Sequence, residues 1–349
     1  MPLYVRLKKD FGTFLLDVEF EAPDGVMGLL GASGCGKSMT LKCIAGVVRP
    51  DEGAVVLNGR VLYDSVKGID LPPQKRGVGL LFQNYALFPN MTVEQNIMAV
   101  LSSRKNASEE KFRSLVRRFH IEGLERHYPA SLSGGQRQRA ALARIMASEP
   151  SVIMLDEPLS ALDSYLRWQL EGELASILDD FGATIYVSHN RDEVYRLCSH
   201  VCVMSSGRTE PVRTVKDLFE SPDTLASSLL SGCKNYSRIE RVGERRVRAA
   251  DWDAELECGA PVPDDASFIG IRAHYLHPVP EDGDNVFPCV VARVTEDVFH
   301  TIVSLEAGSS GHGFSKIRME IPKGAARGLS AGDTIRIGVK PRDVMLLKK

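Results

Sequence analysis

The sequence predicts an α/β core with a parallel sheet, a helical insert inside that core, and a smaller all-β domain after it. Over the first 230 residues, apolar runs such as VMGLL and VIMLD alternate with stretches of helical periodicity, which is typical of a parallel sheet covered by helices. Residues 92–147 contain three helical patterns and no convincing strand, so we place a helical subdomain at about residues 86–150. Beyond residue 230, short β-type runs separated by Gly, Pro and Asp favour an all-β domain.

Antiparallel hairpins are predicted near the start of the chain. Residues 3–8 and 14–20 alternate apolar and polar side chains, as the two strands of a hairpin do. The stretch GAVVLNGRVLYD places Asn58 and Gly59 between two apolar runs, and Asn-Gly is a strong signal for a two-residue hairpin turn. We therefore expect two strand pairs within the first 65 or so residues.

The last third of the chain contains a faint internal repeat. IGIRAHYL at 269–276 resembles IGVKPRDVML at 337–346, which indicates a duplicated small β unit. Together with the change of pattern near residue 230, this repeat predicts two domains, at 1–230 and 231–349.

Composition indicates a soluble globular chain and argues against several classes of function. At 349 residues, 44% apolar and 25% charged, the chain is long enough for two or three domains. The net charge of −2 offers no basic field for nucleic acid. No run approaches the roughly 18 apolar residues of a membrane span, and MPLYVRLKKDFG carries charge where a signal peptide is apolar. Seven cysteines without a C-x-x-C pair indicate reduced thiols rather than a disulfide framework or a zinc site.

The stretch GASGCGKS fits the phosphate-loop pattern G-x-x-x-x-G-K-[ST]. It follows the strand-like run VMGLL and precedes the helical pattern MTLKCIAGV, which is the context that the pattern needs; a chance match in a glycine-rich turn is the alternative. We expect Lys37 to reach the β- and γ-phosphates of a nucleotide and Ser38 to hold Mg²⁺. The residues expected around the phosphates are Gly31, Ala32, Ser33, Gly34, Cys35, Gly36, Lys37, Ser38 and Met39.

A second glycine-rich stretch, SLSGGQRQR, precedes the apolar helical run AALARIM. The first N–H groups of a helix have no partner inside the helix, and the helix dipole is positive there, so this helix start is a second candidate anion site. Its residues are Ser133, Gly134, Gly135 and Gln136.

Two acidic residues, Asp156 and Glu157, follow the apolar residues of VIMLDEP. Ligands of a parallel sheet bind at the carboxyl ends of its strands. We expect Asp156 to hold Mg²⁺ through water and Glu157 to polarise the water that attacks the γ-phosphate. The alternative is that these carboxylates cap the next helix.

Two further polar residues end strand-like runs. His189 follows ATIYVS, and Gln83 ends GVGLLFQ. We expect His189 to hydrogen-bond the γ-phosphate or the attacking water, with a structural histidine as the alternative. Gln83 is expected to join Asp156 and Ser38 around the metal, although a solitary glutamine carries no signal.

Six ordered motifs resemble those of the ATP-binding cassette (ABC) transporter ATPases: GASGCGKS, FQ, LSGGQRQR, VIMLDEP, SALD and SH. The resemblance covers residues 1 to about 230 and implies an ATPase that uses ATP and Mg²⁺ on a phosphate-loop ABC core. It implies that residues 133–136 form the family's signature motif and that Asp163 is its D-loop aspartate. It also implies that Gln83 is the Q-loop residue and His189 the switch histidine.

The same resemblance implies the partners of the chain. In this family the signature motif contacts the γ-phosphate held by a second subunit, so a homodimer encloses two ATP molecules and its closing drives two integral-membrane permease subunits. An extracytoplasmic binding protein acts indirectly, and the ATPase lies on the cytoplasmic face of the cell membrane. The aromatic residue that stacks on adenine in this family is expected at Phe11, with Phe14 as the alternative.

Two stretches resemble importers of oxyanions. GRVLYDSVKGIDLPPQKR is similar to the matching stretch of molybdate and tungstate importer ATPases, and residues 232–349 resemble the small OB-like barrel modules (TOBE or Mop type) appended to importer ATPases. The resemblance implies an importer for molybdate or tungstate. Importers of sulfate, polyamine, ferric iron or sugar are the alternatives, and a soluble ABC ATPase acting on DNA or ribosomes is a further one.

The C-terminal module carries a second expectation. SGCKN lies where Mop domains have a Ser-Ala-Arg-Asn-like sequence, and GVKPRDVMLL resembles their closing strand. This likeness implies regulatory molybdate or tungstate held by Ser231, Lys234, Asn235 and Lys340; the alternative is a module that only enlarges the dimer interface. The basic stretch KNYSRIERVGERRVR lacks interleaved aromatic residues, which favours an exposed strand pair over nucleic-acid binding.

Overall fold

The computed structural model describes residues 3–102, 108–160, 164–179, 181, 183–280, 283, 285–308, 314–326 and 328–349. The chain divides into two compact units, Met1–Val215 and Lys216–Lys349. Thr224 forms a β-bridge with Lys348, whose carbonyl accepts a hydrogen bond of 2.9 Å from the N–H of Leu225. Residues 216–230 therefore belong to the second unit, whereas the boundary expected from the sequence, after residue 230, places them in the first.

A twelve-stranded sheet forms the first unit. Its strands are β1 (Leu3–Asp10), β2 (Leu15–Ala22), β3 (Gly25–Gly31), β4 (Glu52–Leu57), β5 (Arg60–Asp64), β6 (Ile69–Asp70), β7 (Val78–Leu81), β8 (Val152–Asp156), β9 (Ala183–Ser188), β10 (His200–Ser205), β11 (Arg208–Thr209) and β12 (Arg213–Thr214). Their order is β6-β5-β4-β1-β2-β11-β10-β3-β9-β8-β7, with β12 beside β10. Strands β10, β3, β9, β8 and β7 are parallel neighbours, and β1, β2, β4 and β5 pair antiparallel. The predicted parallel core and antiparallel hairpins are both confirmed.

Helices join and cover the strands of the first unit. They are α1 (Lys37–Ala45), α2 (Val93–Leu101), α3 (Glu109–Arg118), α4 (Gly134–Ala147), α5 (Ser164–Asp179) and α6 (Arg191–Leu197). Among the described residues between β7 and β8 there are helices and turns but no strand, as the predicted helical insert requires. Among all described residues, no helix combines the length and apolarity needed to cross a membrane.

The central strands of the sheet have no solvent-exposed face. All residues of β8 and β9 are buried, as are all but the first of β3, because helices cover both faces of a parallel sheet. The hairpin turn between β4 and β5 has φ values of 53° at Asn58 and 75° at Gly59. Positive φ at both central residues defines the tight hairpin turn that Asn-Gly predicts.

The second unit begins within the short helix α7 (Val215–Glu220), whose first residue belongs to the first unit. It continues with a second short helix, α8 (Leu225–Leu230), and with two five-stranded antiparallel sheets. Its strands are β13 (Asn235–Arg241), β14 (Arg246–Ala249), β15 (Ala254–Glu257), β16 (Phe268–Ile271), β17 (His277–Pro278), β18 (Val286–Glu296), β19 (His300–Glu306), β20 (Lys316–Pro322), β21 (Thr334–Gly338) and β22 (Met345–Leu347). The sheet orders are β15-β14-β13-β16-β22 and β17-β21-β18-β19-β20. Buried side chains from both sheets form one apolar core around Trp252, so the predicted all-β domain is confirmed.

The internal repeat has a structural counterpart. Strand β16 is followed by a 3-10 turn at Ala273–Tyr275 and by β17, and β21 is followed by a 3-10 turn at Pro341–Asp343 and by β22. The short strand of each copy pairs with the long strand of the other, since β17 pairs with β21 and β22 with β16. The two copies are therefore joined by exchanged strands.

Candidate nucleotide and magnesium site

The phosphate loop joins β3 to α1, and its glycines are required by the backbone. Gly34 and Gly36 have φ values of 79° and 109°, which residues with a side chain rarely adopt. A Cβ on Gly36 would also lie 2.8 Å from the Cε atom of Met204. The Lys37 ammonium is buried in the loop and donates hydrogen bonds to the carbonyls of Gly31 (2.8 Å) and Ala32 (2.9 Å).

The remaining loop residues divide into buried and exposed positions. Cys35 is buried, and a Cβ on Gly31 would lie 2.6 Å from its Sγ atom, so this cysteine packs inside the loop. Ala32, Ser33 and Gly34 are exposed at the outer turn, and Met39 is partly buried against the core.

Arg76 anchors the far end of α1, a role that sequence reasoning missed. Its buried guanidinium donates to the carbonyls of Cys43 (2.9 Å) and Ile44 (2.7 Å) in the last turn of the helix, and to Asp70 at 2.9 Å. A cation at a helix C-terminus satisfies the unpaired carbonyls and complements the dipole. The helix that begins at the phosphate loop is thus fixed at its other end.

Asp156 ends β8 next to the phosphate loop. The Ser38 hydroxyl donates to its Oδ1 at 2.8 Å. Burial raises the pKa of Asp156, the hydrogen bond from Ser38 lowers it, and the neighbouring Glu157 raises it again, with a raised pKa as the net result. The structure therefore brings together two of the three residues expected around Mg²⁺.

Glu157 and His189 form a pair at the ends of β8 and β9. The Nδ1 atom of His189 lies 3.1 Å from Oε1 of Glu157, and the two side chains are 57% and 19% exposed, so the pair is open to solvent on the histidine side. Glu157 has a φ of 48°, a strained value for a non-glycine residue. The next described helix starts only at Ser164, so neither carboxylate caps it.

Gln83 lies two residues beyond β7 and contacts the loop that follows Glu157. Its Nε2 donates to the Ser160 hydroxyl at 3.5 Å, and that hydroxyl donates to the Glu157 carbonyl at 2.9 Å. The structure thus links Gln83 to the backbone of Glu157 through Ser160, the first residue of the SALD motif, to which the sequence analysis gave no role.

A buried glutamate supports the loop that carries His189. Glu193 accepts hydrogen bonds from Tyr186 (3.0 Å), Ser188 (2.8 Å) and Asn190 (3.2 Å). These three residues flank His189 on both sides, so their shared partner fixes its backbone. Sequence reasoning missed Glu193 because its partners become apparent only when β9 and α6 are folded together.

The signature segment has the predicted helix start, with one refinement. The backbone N–H of Gln136 donates to the Ser133 hydroxyl at 3.3 Å, and the backbone N–H of Ser133 donates to the Gln136 side-chain oxygen at 2.9 Å. The two residues thus cap the helix reciprocally. The N–H groups of Gly134 and Gly135 take no part in this cap, so they are the donors that remain for an anion. A Cβ on Gly135 would lie 2.9 Å from Leu170. Asp163, the expected D-loop aspartate, lies outside the described residues.

The two aromatic candidates at the β1–β2 turn differ in exposure. Phe11 is 36% exposed, whereas Phe14 packs on the apolar core and against Gly36. Their ring centroids are 6.3 Å apart. The Phe11 ring is therefore the more accessible to a ligand, whereas Phe14 packs against the phosphate loop at Gly36.

The donor set at this edge suits a metal that arrives with phosphates. Among the described residues, no group of three or more His, Cys, Asp or Glu side chains is arranged so that it could hold a metal ion. The buried Asp156 carboxylate and the Ser38 hydroxyl offer oxygen ligands, which is the preference of Mg²⁺ when substrate phosphates and water complete its shell. The residues present therefore fit Mg²⁺.

Of the four residues expected to hold an oxyanion in the second unit, one lines the cavity on β18–β20, and the lining of that cavity does not include Ser231, Asn235 or Lys340. Asn235 uses its amide on the backbone of Ile271 and Arg318, at 2.7 to 3.0 Å. Ser231 is buried and donates to the Ser228 carbonyl at 3.2 Å. Lys234 lines a cavity in which Lys340 has no part. The first two side chains thus hold the fold together.

A phosphate loop, a buried carboxylate hydrogen-bonded to that loop and a helical insert on one parallel sheet define a phosphate-loop ATPase of the ABC class. The ABC transporter family matches residues 15–160. The chain is also 37% identical to the spermidine/putrescine import ATP-binding protein PotA of Rubrobacter xylanophilus over 311 residues, 84% of this chain and 81% of that one. It therefore belongs to the ABC transporter family of ATP-binding proteins.

Other relatives are also import proteins. The chain is 40% identical to the sulfate/thiosulfate import ATP-binding protein CysA of Synechocystis over 224 residues, 62% of this chain and 61% of that protein's length. It is 29% identical to the molybdenum import ATP-binding protein ModC of Aliivibrio fischeri over 328 residues, 89% of each. This chain is accordingly an ATP-binding subunit of an ABC importer, an ATPase that uses ATP and Mg²⁺.

Solved structures support an ABC cassette fold over 62% of the chain. The dimeric bacterial ABC transporter cassette MJ0796 aligns with a TM-score of 0.53 at 25% identity, over 62% of this chain and 99% of that cassette. The match spans a whole cassette and leaves more than a third of this chain unmatched.

Proposed function

We propose that the edge formed by the ends of β3, β7, β8 and β9 binds and hydrolyses Mg–ATP, with the roles that follow. Lys37 and the loop N–H groups hold the β- and γ-phosphates, and Phe11 stacks on adenine. Ser38 and Asp156 would hold the metal, and Gln83 would be a further ligand. The observation that carries this proposal is the 2.8 Å hydrogen bond between Ser38 and Asp156, which joins the loop to a buried carboxylate with further acceptor capacity.

Glu157 is the proposed base for the attacking water. Its carboxylate accepts a proton from water, and His189, 3.1 Å away, orients that carboxylate and donates to the phosphate. The positive φ of Glu157 and the hydrogen bond from its N–H to the Val187 carbonyl (3.0 Å) fix its direction. When bound, Mg²⁺ neutralises the charge that develops on the transferred phosphoryl group.

A second copy of the chain completes each site in this proposal. Ser133, Gly134 and Gly135 supply donors to the γ-phosphate held by the other subunit, and Asp163 contacts the same interface. Support comes from the capped helix start, which is exposed at Ser133, and from the dimeric cassette to which the fold is similar. A partner that adds these donors also closes the site to bulk water, which strengthens the electrostatic contacts to the phosphate.

A mixture of two inactive variants tests this arrangement. Ser133→Arg chains and Lys37→Ala chains are expected to be inactive alone. In a mixed dimer one site has both intact halves, so ATP hydrolysis is expected to return to a fraction of that of the unmodified chain. Ser133→Arg that fails to bind ATP as a monomer would contradict the proposal, because the signature would then serve its own chain.

For the cargo, we propose a tetrahedral oxyanion of the molybdate or tungstate type, moved by two integral-membrane permease subunits, with this ATPase at the cytoplasmic face of the cell membrane. The support is the likeness to ModC over 89% of both chains and the likeness to CysA over 62% of this chain. A polyamine is the second candidate, favoured by the higher identity to PotA. Deleting the gene and measuring cellular uptake of molybdate, tungstate, sulfate and spermidine tests the choice; loss of spermidine uptake alone would overturn the oxyanion.

A further inference from the structure

The outer face of the second sheet in the C-terminal unit contains a cavity of about 390 Å³. That volume lies within the roughly 300–1,000 Å³ of small-molecule pockets. Its charged lining residues are Lys234, Arg293, Lys316, Arg318 and Glu306. Four cations and one carboxylate around one cavity favour an anionic ligand.

Three of the four cations are available to a ligand. Arg318 pairs with Glu320 at 2.9 Å. Among the described residues, Lys234, Arg293 and Lys316 make no ion pair within 4 Å. Including both carboxylates, Glu306 and Glu320, the group has a net charge of two positive units. Like charges held close together repel each other, and a bound anion relieves this.

A β-bulge directs Arg293 to this face. Cys289 and Val291 are buried, so strict alternation along β18 would turn Arg293 into the core. The register shifts instead: Val291 pairs with Leu305, but Arg293 pairs with Ser304, and Ala292 is the extra residue. Bulges re-aim side chains in this way and are common next to sites.

Lys234 is held against the same strands by its neighbour. Asn235 donates to the Arg318 carbonyl (2.9 Å) and accepts from the Arg318 N–H (2.7 Å). The chain at Lys234 is thereby fixed beside β20, although 83 residues separate the two partners. The cavity is therefore built from fixed backbone and not from a mobile loop.

The spacing of the cations points to an anion longer than one tetrahedral group. Arg293, Ser304 and Arg318 are cross-strand neighbours on β18, β19 and β20, so the two arginines lie two strands apart, about 9.5 Å between backbones. Two linked phosphoryl groups reach both arginines and the Ser304 hydroxyl between them. We propose that this cavity binds a polyanion of the pyrophosphate type, at a site separate from the nucleotide site.

Calorimetric titration of the full chain with inorganic pyrophosphate tests this site. The phosphate loop is first saturated with ADP in magnesium-free buffer, so that the nucleotide site does not contribute. The unmodified chain is expected to bind one pyrophosphate. The double variant Arg293→Gln, Lys316→Gln is expected to bind it about a hundredfold more weakly, because each lost charged contact costs about tenfold in affinity. Arg293→Lys with native Lys316 is expected to retain most of the affinity.

Lys340→Gln is the matched control, since it removes an exposed cation of the same unit outside the cavity. It is expected to leave pyrophosphate affinity unchanged. Absence of binding to the unmodified chain, or equal affinity in the double variant, would overturn the site. Inorganic phosphate that binds as tightly as pyrophosphate would overturn the choice of a linked polyanion.

Discussion

Asp156 in the first unit and Asp251 in the second are both buried, at 6% and 4% exposure, yet their pKa values move in opposite directions. Burial raises the pKa of Asp156, and one hydrogen bond from Ser38 offsets only part of that effect. Burial also raises the pKa of Asp251, but the hydrogen bonds from the side chain and backbone of Arg238 outweigh it, so this pKa is lowered.

The difference separates a carboxylate that completes the fold from one that is available to a ligand. Asp251 accepts from the Arg238 guanidinium at 2.6 Å and from the Arg238 backbone N–H at 2.8 Å. Asp156 accepts one hydrogen bond, from Ser38, among the described residues, although an ionised carboxylate has about four acceptor positions. A buried charge with spare acceptors destabilises the fold, and a metal cation would remove that penalty.

Replacing Asp156 should separate activity from stability. We expect Asp156→Asn to lower ATP hydrolysis by about 10²–10³, the magnitude typical when one preorganised electrostatic contact is lost from a site. The free energy of unfolding without nucleotide should stay the same or rise, because a desolvated charge is removed. Steady-state ATPase assays and urea unfolding measure the two effects. A variant that unfolds several kcal/mol more easily would make Asp156 a structural residue.

Glu157→Gln is expected to show a related but distinct effect. Hydrolysis should fall by about 10² or more, since a positioned base contributes that much, while ATP binding persists because the metal and phosphate contacts are intact. Equilibrium binding of a fluorescent ATP analogue, compared with single-turnover hydrolysis, measures both. Near-normal turnover would remove Glu157 from the role of base.

Asp251→Asn should affect stability alone. The loss of charged hydrogen bonds to Arg238 is expected to lower the free energy of unfolding of the second unit by about 2–3 kcal/mol. Trp252 is buried and stacked on Phe287, at 5.8 Å between ring centroids, and reports on this unit by fluorescence. Trp168 is the other tryptophan of the chain, so Trp168→Phe isolates the signal.

Asp253→Asn is the matched control for this measurement. Asp253 lies two residues away and pairs with Arg248 at 2.8 Å, but its side chain is 69% exposed. Exposed pairs of this kind contribute at most about 1 kcal/mol, and asparagine tolerates the positive φ of 51° at this position. Equal destabilisation by both substitutions would show that burial of Asp251 does not matter.

Much of the first site could be predicted because each motif is local in sequence. The glycines of the phosphate loop, Asp156 and Glu157 follow buried strands directly, and parallel strands place their carboxyl ends at one edge. Arg76 and Glu193 could not be found in this way. Their partners come from other elements, as in the hydrogen bond from Arg76 to Cys43, 33 residues apart, and a lone charged residue gives no sign that folding will bury it.

In the second unit the fold was predictable from the sequence, but the residues that line a site were not. Its all-β class and its repeat are visible as short strand patterns, whereas the expected oxyanion residues do not converge. Asn235 is used by the backbone of β20, and the bulge that turns Arg293 outward depends on pairing between β18 and β19. Register is set by long-range pairing, so the face on which a side chain lies was not predictable from the strand pattern alone.

The smallest predicted effect is a difference in pH dependence between the two aspartates. Asp251 has a lowered pKa in the folded chain, so its stabilising contribution is complete above the unfolded value of about 3.9 and is lost as pH falls through the folded pKa. Asp156 has a raised pKa, so the folded chain binds its proton first, and its contribution becomes less favourable as pH rises through that value.

The substitutions isolate each contribution in acid. As pH falls below about 4, the stability gap between the Trp168→Phe chain and its Asp251→Asn variant should shrink, by at most about 1.4 kcal/mol per unit of pKa shift. Hydrogen exchange of the β8 amides measures the stability of the first unit. There, acid should remove any gain in stability of Asp156→Asn over the unmodified chain, because Asp156 is then protonated and uncharged. Gaps that stay constant with pH in both units would mean that neither carboxylate changes its proton affinity on folding. The contrast between a saturated and an available carboxylate would then be wrong.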